Sequence, residues 1–437
     1  MGSEIERNEP ASSRRGMLRA GAGLAAAATA ALAGGRAAAA RNSNGANPEN
    51  LPPNLPEWGR SLGAGVIEEP YGMPSRHEAH VVRRYVPWLT ADRIGSVSFT
   101  PLAELHGIIT PNGLCFERHH GGYPDVEPND WRLMVHGLVD RPKIFTLQDL
   151  MRMPTVSRIH FLECPANGGM EWRGSQMSGV QYTHGMLMCC EWTGVRLAHV
   201  FAETGLKPNA SWVLAEGGDA SHLSRSLPIA KLLDDCILAW GQNGEMLRPQ
   251  QGYPVRLVVP GYEGNVWIKW IRRLEVGDRP WYHRSETRTY TDLLPSGKAR
   301  QFTFINEVNS VITYPCPEKP LHGRSGFVEI KGLAWSGLGK IARVDVSVDG
   351  GDTWRTAELQ EPVLTKALTR FRIPWEWREG TGPFYLQSRA IDETGRVQPS
   401  IHALRSKRGV ESIYHNNRVQ TWLVEKDGTV VNVQIDA

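Results

Sequence analysis

The sequence predicts an α+β chain in which an irregular mixed domain is followed by an all-β, immunoglobulin-like sandwich. Three observations carry this. The 437 residues exceed the size at which one core usually suffices, so two or more domains are expected. Short strand-like runs alternate with short helical ones between residues 105 and 280. Beyond residue 320 the pattern changes: Ala342, Val344, Val346 and Val348 share one face while Arg343, Asp345 and Ser347 share the other. That two-residue period belongs to a half-buried strand.

Taken in order, residues 1–40 stand outside the fold. Arg14 and Arg15 precede an Ala-rich run and the small residues at 37–40, the pattern of a twin-arginine export signal. The run is too short and too weakly apolar for a spanning helix, so a periplasmic address and no membrane span are expected. This segment holds five Arg and three Glu, and without it the net charge of +3 falls to +1. No basic patch accompanies a nucleic-acid motif, which speaks against nucleic-acid binding. Cys115, Cys164, Cys189, Cys190, Cys236 and Cys316 are too few for a disulfide framework in a chain this long. The adjacent Cys189 and Cys190 are expected to pack rather than bridge. No C-x-x-C-H is present, so no c-type haem is expected on this chain.

Residues 41–104 read as an extended arm, rich in Asn, Pro and Gly to about 75, and the start of the body. His77 and His80 lack Cys or carboxylate partners at ligand spacing and are not read as a metal pair. The mixed domain covers 105–310. Strands are expected at 107–110, 114–116, 131–139, 159–162, 212–216, 236–240 and 257–259, and at 266–272 a half-exposed one beside a pocket. Thr146 as N-cap with Asp149 three positions on forms a capping-box variant for a helix over 146–151. EWTGVRL leads into a helix through Phe201, and 226–230 introduces another ending near Asp235. Gln242-Asn243-Gly244 and Asp349-Gly350-Gly351 are turn signals. A loop-rich connector over 280–320 leads into the sandwich of 311–437, with strands at 327–335, 341–348 and 384–391 and a part in packing or dimerisation.

The chemistry gathers around SRIHFLECPANG, residues 157–168. An apolar strand ends here in a turn rich in Pro, Asn and Gly, which puts Cys164 at a strand end with backbone N–H groups free to face a ligand. A soft thiolate suits a sulfur-preferring metal, while a cysteine that merely fills the core fits the same local sequence. Arg118 near His120, and Arg256 and Lys269 on either side of Gly261 and Gly264, suit a phosphate or oxyanion. A buried ion pair is the plain alternative for Arg118.

Together these segments resemble the sulfite oxidase family of molybdenum enzymes. CFERHHGG at 115–122, FLECPANG at 161–168, EWTGVRL at 191–197, GYPVRLVVPGYEGNVWIKW at 252–270 and KGLAWSG at 331–337 occur in the family's order, within a resemblance over 50–430. PYGMPSRHEAHVVRR and ITPNGLCFERHHGG are similar to its branch of bacterial sulfane dehydrogenases of thiosulfate oxidation. The resemblance implies a sulfite-oxidase-type molybdopterin domain, a cofactor of one molybdenum with one pterin, and Cys164 as the metal's protein ligand. It implies Arg118, Tyr290 (in ETRTYTD) and Arg408 (in SKRGV) as further catalytic residues, and His120, Arg256 and Lys269 beside the cofactor. His119 stands where many members have Asn, and Gln251 where vertebrate members have a histidine beside the pterin phosphate. The implied substrate is a sulfane sulfur on a cysteine of a sulfur carrier protein. Electrons would pass to a c-type dihaem cytochrome subunit, within a heterotetramer built on a homodimer. Free sulfite as substrate, reduction of an organic oxide, and a non-enzymatic periplasmic binding or structural role are the competing readings; the paired arginines count against the reductase.

Overall fold

The structure, a computed structural model, describes residues 73–86 and 94–435. The export signal and most of the arm lie outside the described residues. In chain order the mixed domain carries β1 (Leu133–Gly137), β2 (Lys143–Phe145), β3 (Thr155–Glu163), β4 (Leu187–Arg196), β5 (Trp212–Gly217), β6 (Ser224–Pro228), β7 (Ile237–Gln242), β8 (Glu245–Met246), β9 (Arg256–Val258) and β10 (Ile271–Gly277). They sort into two sheets. One runs β2-β1-β10-β5-β6, with β1 and β10 parallel. The other runs β3-β4-β7-β8, with β9 added to β7. Apolar side chains of both, among them Leu133, Leu162, Met188, Trp192, Leu257 and Ile271, form one core.

Local chemistry sets several elements as expected. Thr146 caps helix Leu147–Met151: its hydroxyl accepts from the Asp149 N–H at 3.1 Å, and the Asp149 carboxylate accepts from the Thr146 N–H at 2.9 Å. Two backbone donors left over by the helix are thereby satisfied. Asn243 and Gly244 take positive φ in the tight β7–β8 turn. The second domain is a two-sheet sandwich. Asn309–Tyr314, Gly326–Trp335, Thr369–Trp377 and Glu358–Gln360 form one sheet; Arg355–Thr356, Ile341–Ser347, Phe384–Asp392, Thr421–Val424 and Val430–Val433 form the other. Trp335, Phe371, Leu386 and Trp422 fill the space between them.

Four expectations change. Residues 107–110 and 114–116 form no strand. The segment crosses β4 once, through the Thr110 N–H to Cys189 O (2.7 Å) and the Cys189 N–H to Thr110 Oγ1 (3.1 Å), then turns at Asn112–Leu114. The run at 266–272 is not a half-exposed strand. Gly264–Val266 is a 3-10 turn, Trp270 sits at φ 49°, and pairing starts only at Ile271, because 266–268 are enclosed by the core. Ala342 is exposed, since a register shift between Ile341 and Arg343 breaks the alternation. Strand β6 and helix Ile401–Arg408 had no sequence-based counterpart. All six cysteines are free thiols. Cys115 and Cys190 lie 3.5 Å apart, with the Gln242 side-chain amide donating to both sulfurs.

Candidate active site

The site begins where β3 runs out of partners. Glu163 pairs with Leu187, and the next residue, Cys164, leaves the ladder while its N–H donates to Met186 O at 3.0 Å. The turn Cys164–Asn167 closes with an Asn167 N–H to Cys164 O bond of 2.9 Å. The thiol is thereby held at the junction of two cavities. One is lined by Arg118, His120, Cys164, Arg256, Lys269 and Tyr290 among others. The second shares Arg118, His120, Cys164 and Tyr290 and continues past Arg288 and Tyr414. Six residues singled out in the sequence thus meet in space.

Arg118 is anchored on one side. Its Nη1 donates to the carbonyls of Gly95 (3.2 Å), Ser96 (3.4 Å) and His119 (2.5 Å). Lys269 spends its ammonium on the Arg118 carbonyl (3.2 Å), the Gln250 carbonyl (3.0 Å) and His119 Nδ1 (2.9 Å). Burial first, then Arg256, holds Lys269 well below its ordinary pKa. With Nδ1 accepting, His119 presents Nε2–H to the Glu117 carboxylate at 2.9 Å. Burial, reinforced by Lys269 and Arg118, pushes His119 down to about 3, so it is neutral.

His120 is also neutral, pushed down to about 4 by burial and then Arg118. Its Nε2 lies 2.9 Å from the Tyr290 hydroxyl. Tyr290 takes φ 56°, with the Arg225 guanidinium 5.0 Å from its ring centre and Tyr414 packed alongside at 5.4 Å. Burial, then Cys164, pushes the phenol well above its usual value, so it keeps its proton. Burial likewise drives Cys164 up to about 11 against the opposing pull of the Ala166 N–H and Arg118. With no metal bound it is a thiol.

The deeper cavity is suited to a polar heterocycle. Arg256 lies between the indoles of Trp192 (5.0 Å) and Trp267 (5.9 Å), and donates to Gln251 O (3.1 Å) and Trp267 O (3.2 Å). Burial lowers its pKa to about 10, which leaves it cationic. Its Nε, and Oδ1 of the neighbouring lining residue Asn265, are buried without a hydrogen-bond partner. Such orphans call for a ligand. Gln251, by contrast, is used internally, donating to Phe116 O at 3.0 Å. Among the described residues no group of three or more His, Cys, Asp or Glu gathers as a metal site. A metal on the lone Cys164 sulfur would have to bring further ligands with its cofactor, and the residues present fit that arrangement.

Arg408 stands apart from these six. It lines neither cavity. Fully buried at the end of helix Ile401–Arg408, it pairs with Asp292 (3.2 Å) and Glu307 (3.1 Å). Asp292, from a two-residue strand paired with Ala299–Arg300, draws the guanidinium away from the cleft. Three arginines went unremarked in the sequence. Arg225 on β6 backs Tyr290 and faces Glu263 at 3.4 Å; an Arg amid serines carries no local signal. Arg284 and Arg288 edge the second cavity, and their four-residue spacing just before Tyr290 was a readable one.

Residues 120–285 match the oxidoreductase molybdopterin binding domain family, and 300–422 the Mo-co oxidoreductase dimerisation domain. The crystal structure of the sulfane dehydrogenase SoxCD from Paracoccus pantotrophus matches with a TM-score of 0.85 at 49% identity, over 89% of this chain and 100% of that one. The chain belongs to the sulfite oxidase family of molybdopterin oxidoreductases. The mitochondrial sulfite oxidase of Mus musculus is 33% identical over 343 residues, 72% of this chain and 62% of that protein. An NADH nitrate reductase of Cichorium intybus is 33% identical over 310 residues, 63% of this chain and 33% of that protein. This member of the family therefore spans about three fifths of the mouse protein and a third of the plant one. It carries the family's two-part architecture, a mixed molybdopterin-binding domain followed by a β-rich domain, as the sequence predicted. No helix among the described residues is long and apolar enough to cross a membrane.

Proposed function

We propose that this chain is the molybdenum subunit of a dehydrogenase that oxidises sulfane sulfur carried on a protein cysteine and passes the electrons to a c-type dihaem cytochrome subunit. The observation that carries the reading is the convergence of Cys164, Arg118, His120 and Tyr290 where the two cavities meet. The likeness to a sulfane dehydrogenase along the full length of that chain supports the choice of substrate. One molybdenum with one pterin, held by Cys164, supplies oxygen-atom transfer and a two-electron store when bound.

The chain's own residues bind and orient. Arg256 Nε and Asn265 Oδ1 offer the pterin a donor and an acceptor. Lys269 ties the Arg118 loop to the segment at Gln250 by its contacts to one carbonyl of each. Arg118, with its Nη1 side occupied, turns its remaining donors to the anionic sulfur group. Neutral His120 and the protonated Tyr290 hydroxyl hold one proton between them, at the 2.9 Å contact beside the thiol, and present a polar edge without adding charge. Periplasmic export through the twin-arginine leader, and a homodimeric core within a heterotetramer, complete the proposal.

Free sulfite is the alternative substrate, favoured by the identity to mitochondrial sulfite oxidase. The deciding experiment assays the purified complex on sulfite and on carrier-bound sulfane sulfur, reading cytochrome reduction alongside molybdenum content. A higher kcat/KM on the carrier is expected. Preference for sulfite would select the alternative, and full activity without molybdenum would overturn both.

A further inference from the structure

The arm segment RHEAHVVRR, residues 76–84, lines neither cavity, yet it is tied to the loop that carries Arg118. The Arg84 and Phe99 backbones exchange two hydrogen bonds, at 3.3 and 2.8 Å, and the Gln181 side-chain amide donates to Val82 O at 3.0 Å. Ser98, one residue before Phe99, accepts the Glu117 N–H on its hydroxyl (3.0 Å) and donates its own N–H to Glu117 O (2.9 Å). Arg83 and Glu117 are thereby brought side by side. Arg83 Nη1 donates to Cys115 O at 3.3 Å and to the Glu117 carboxylate. From there a chain of contacts runs inward. Glu117 gives one oxygen to Arg83 and the other to His119 Nε2–H at 2.9 Å. His119 Nδ1 accepts from Lys269 at 2.9 Å, and both residues line the first cavity with Arg118.

The chain of contacts has a direction. An ammonium has three N–H donors, and Lys269 places one on Arg118 O, one on Gln250 O and one on His119. His119 can take its share only as the tautomer with a bare Nδ1, and an acceptor at Nε2 selects that tautomer. The groups facing His119 are Glu117, Lys269, Arg118, Asp219 and Arg83, with the rings of Tyr123 and Trp270 packed at 5.5 and 6.0 Å. Burial and the three cations keep the ring neutral. Loss of Arg83 removes one cation and leaves the Glu117 charge unshared, and both changes favour the imidazolium. An Nδ1–H would then face the Lys269 ammonium, donor against donor, and the contact would open. We propose that Arg83 is a positioning residue for the anion site: it fixes Glu117, Glu117 fixes the His119 tautomer, and His119 with Lys269 holds the main chain of Arg118. This rests on the reading of Arg118 as the anion-binding group and holds for either sulfur substrate.

The test uses the holoenzyme with Arg83→Met, Arg83→Lys and His119→Asn, the last carrying an amide that does not titrate. Arg83→Met is expected to raise KM for the sulfur anion about fivefold at unchanged kcat, the scale of one contact coupled at a distance. Arg83→Lys, which keeps the charge, should recover most of that loss. Placed in His119→Asn, Arg83→Met should add nothing further, because the link it acts through is gone. NMR of protein labelled with 15N-histidine, the His119 signals being those absent from His119→Asn, should show a bare Nδ1 in wild type. In Arg83→Met the same signals should protonate at a higher pH. An arm that merely braced the fold would cost the same in both backgrounds and leave the signals unmoved, and either result overturns the inference. A wild-type KM in Arg83→Met does so as well. If the wild type oxidises neither sulfite nor carrier-bound sulfane sulfur, the functional reading falls, and the NMR titration still decides whether Arg83 governs His119.

Discussion

Replacing Arg408 with Met decides between the role its sequence motif implied and the one its surroundings show. Arg408 is completely buried, and its two contacts are Asp292, 1% exposed, and Glu307, 17% exposed. Glu307 keeps Lys407 at 3.4 Å and Arg396 at 3.5 Å after the change, whereas Asp292 keeps only the Ser412 hydroxyl. The loss therefore falls on one buried carboxylate, and removing a single partner of such a pair costs about 3–5 kcal/mol. Adding Asp292→Asn removes the stranded charge and should recover most of the loss. Urea denaturation of wild type, single and double variants, followed by tryptophan fluorescence, measures this directly. Asp292 lies two residues beyond Tyr290, and Ser412 two before Tyr414, so kcat should fall in the single variant and return in the double. An unchanged midpoint in Arg408→Met together with a raised KM for the sulfur anion would refute the structural role and restore the substrate-binding one.

Cys164→Ser should abolish turnover while leaving the circular dichroism spectrum intact; wild-type turnover in the variant would exclude a catalytic part for this sulfur. Arg118→Met should lower kcat/KM by about 10²–10³, the usual scale for one lost anion-stabilising donor, and Arg118→Lys should recover part of it. His184 is pushed from 6.5 down to about 3 by burial and then Arg418, so the folded chain binds fewer protons than the unfolded one. Its contribution is complete above 6.5 and is lost as the pH falls towards 3, at about 1.4 kcal/mol per unit. His184→Gln should flatten that acid limb, and an unaltered slope would contradict the burial argument. Thr146→Ala should cost about 1 kcal/mol by removing the helix cap, with activity unaffected.

What could be read in advance was what the chain encodes locally. The turn-forming Pro165, Asn167 and Gly168 after 159–162 mark a strand end, so Cys164 could be placed before any contact was known. Thr146 and Asp149 write out their own cap. The meeting of Arg118, His120 and Tyr290 with that sulfur is long-range and was implied only by the family's order of motifs, which says nothing of what surrounds Arg408. A motif names the residue but not its partner, and Asp292 reaches Arg408 through a hairpin of two-residue strands that no periodicity announces. Residues 266–272 looked like a strand because apolar content signals burial as readily as pairing. Helix Ile401–Arg408 was hidden by its composition, since only Ile401 and Leu404 mark an apolar face among His, Arg, Ser and Lys.

The clasp made by Lys269 has an evolutionary corollary. Two of its three acceptors are main-chain oxygens, those of Arg118 and Gln250. A latch that grips peptide carbonyls is indifferent to which side chain sits above them. Position 250 and the outer rim can therefore drift to suit new customers, while the amine itself has no substitute: Met would drop every thread at once, and the broader head of Arg would have to displace the carbonyls it is meant to hold.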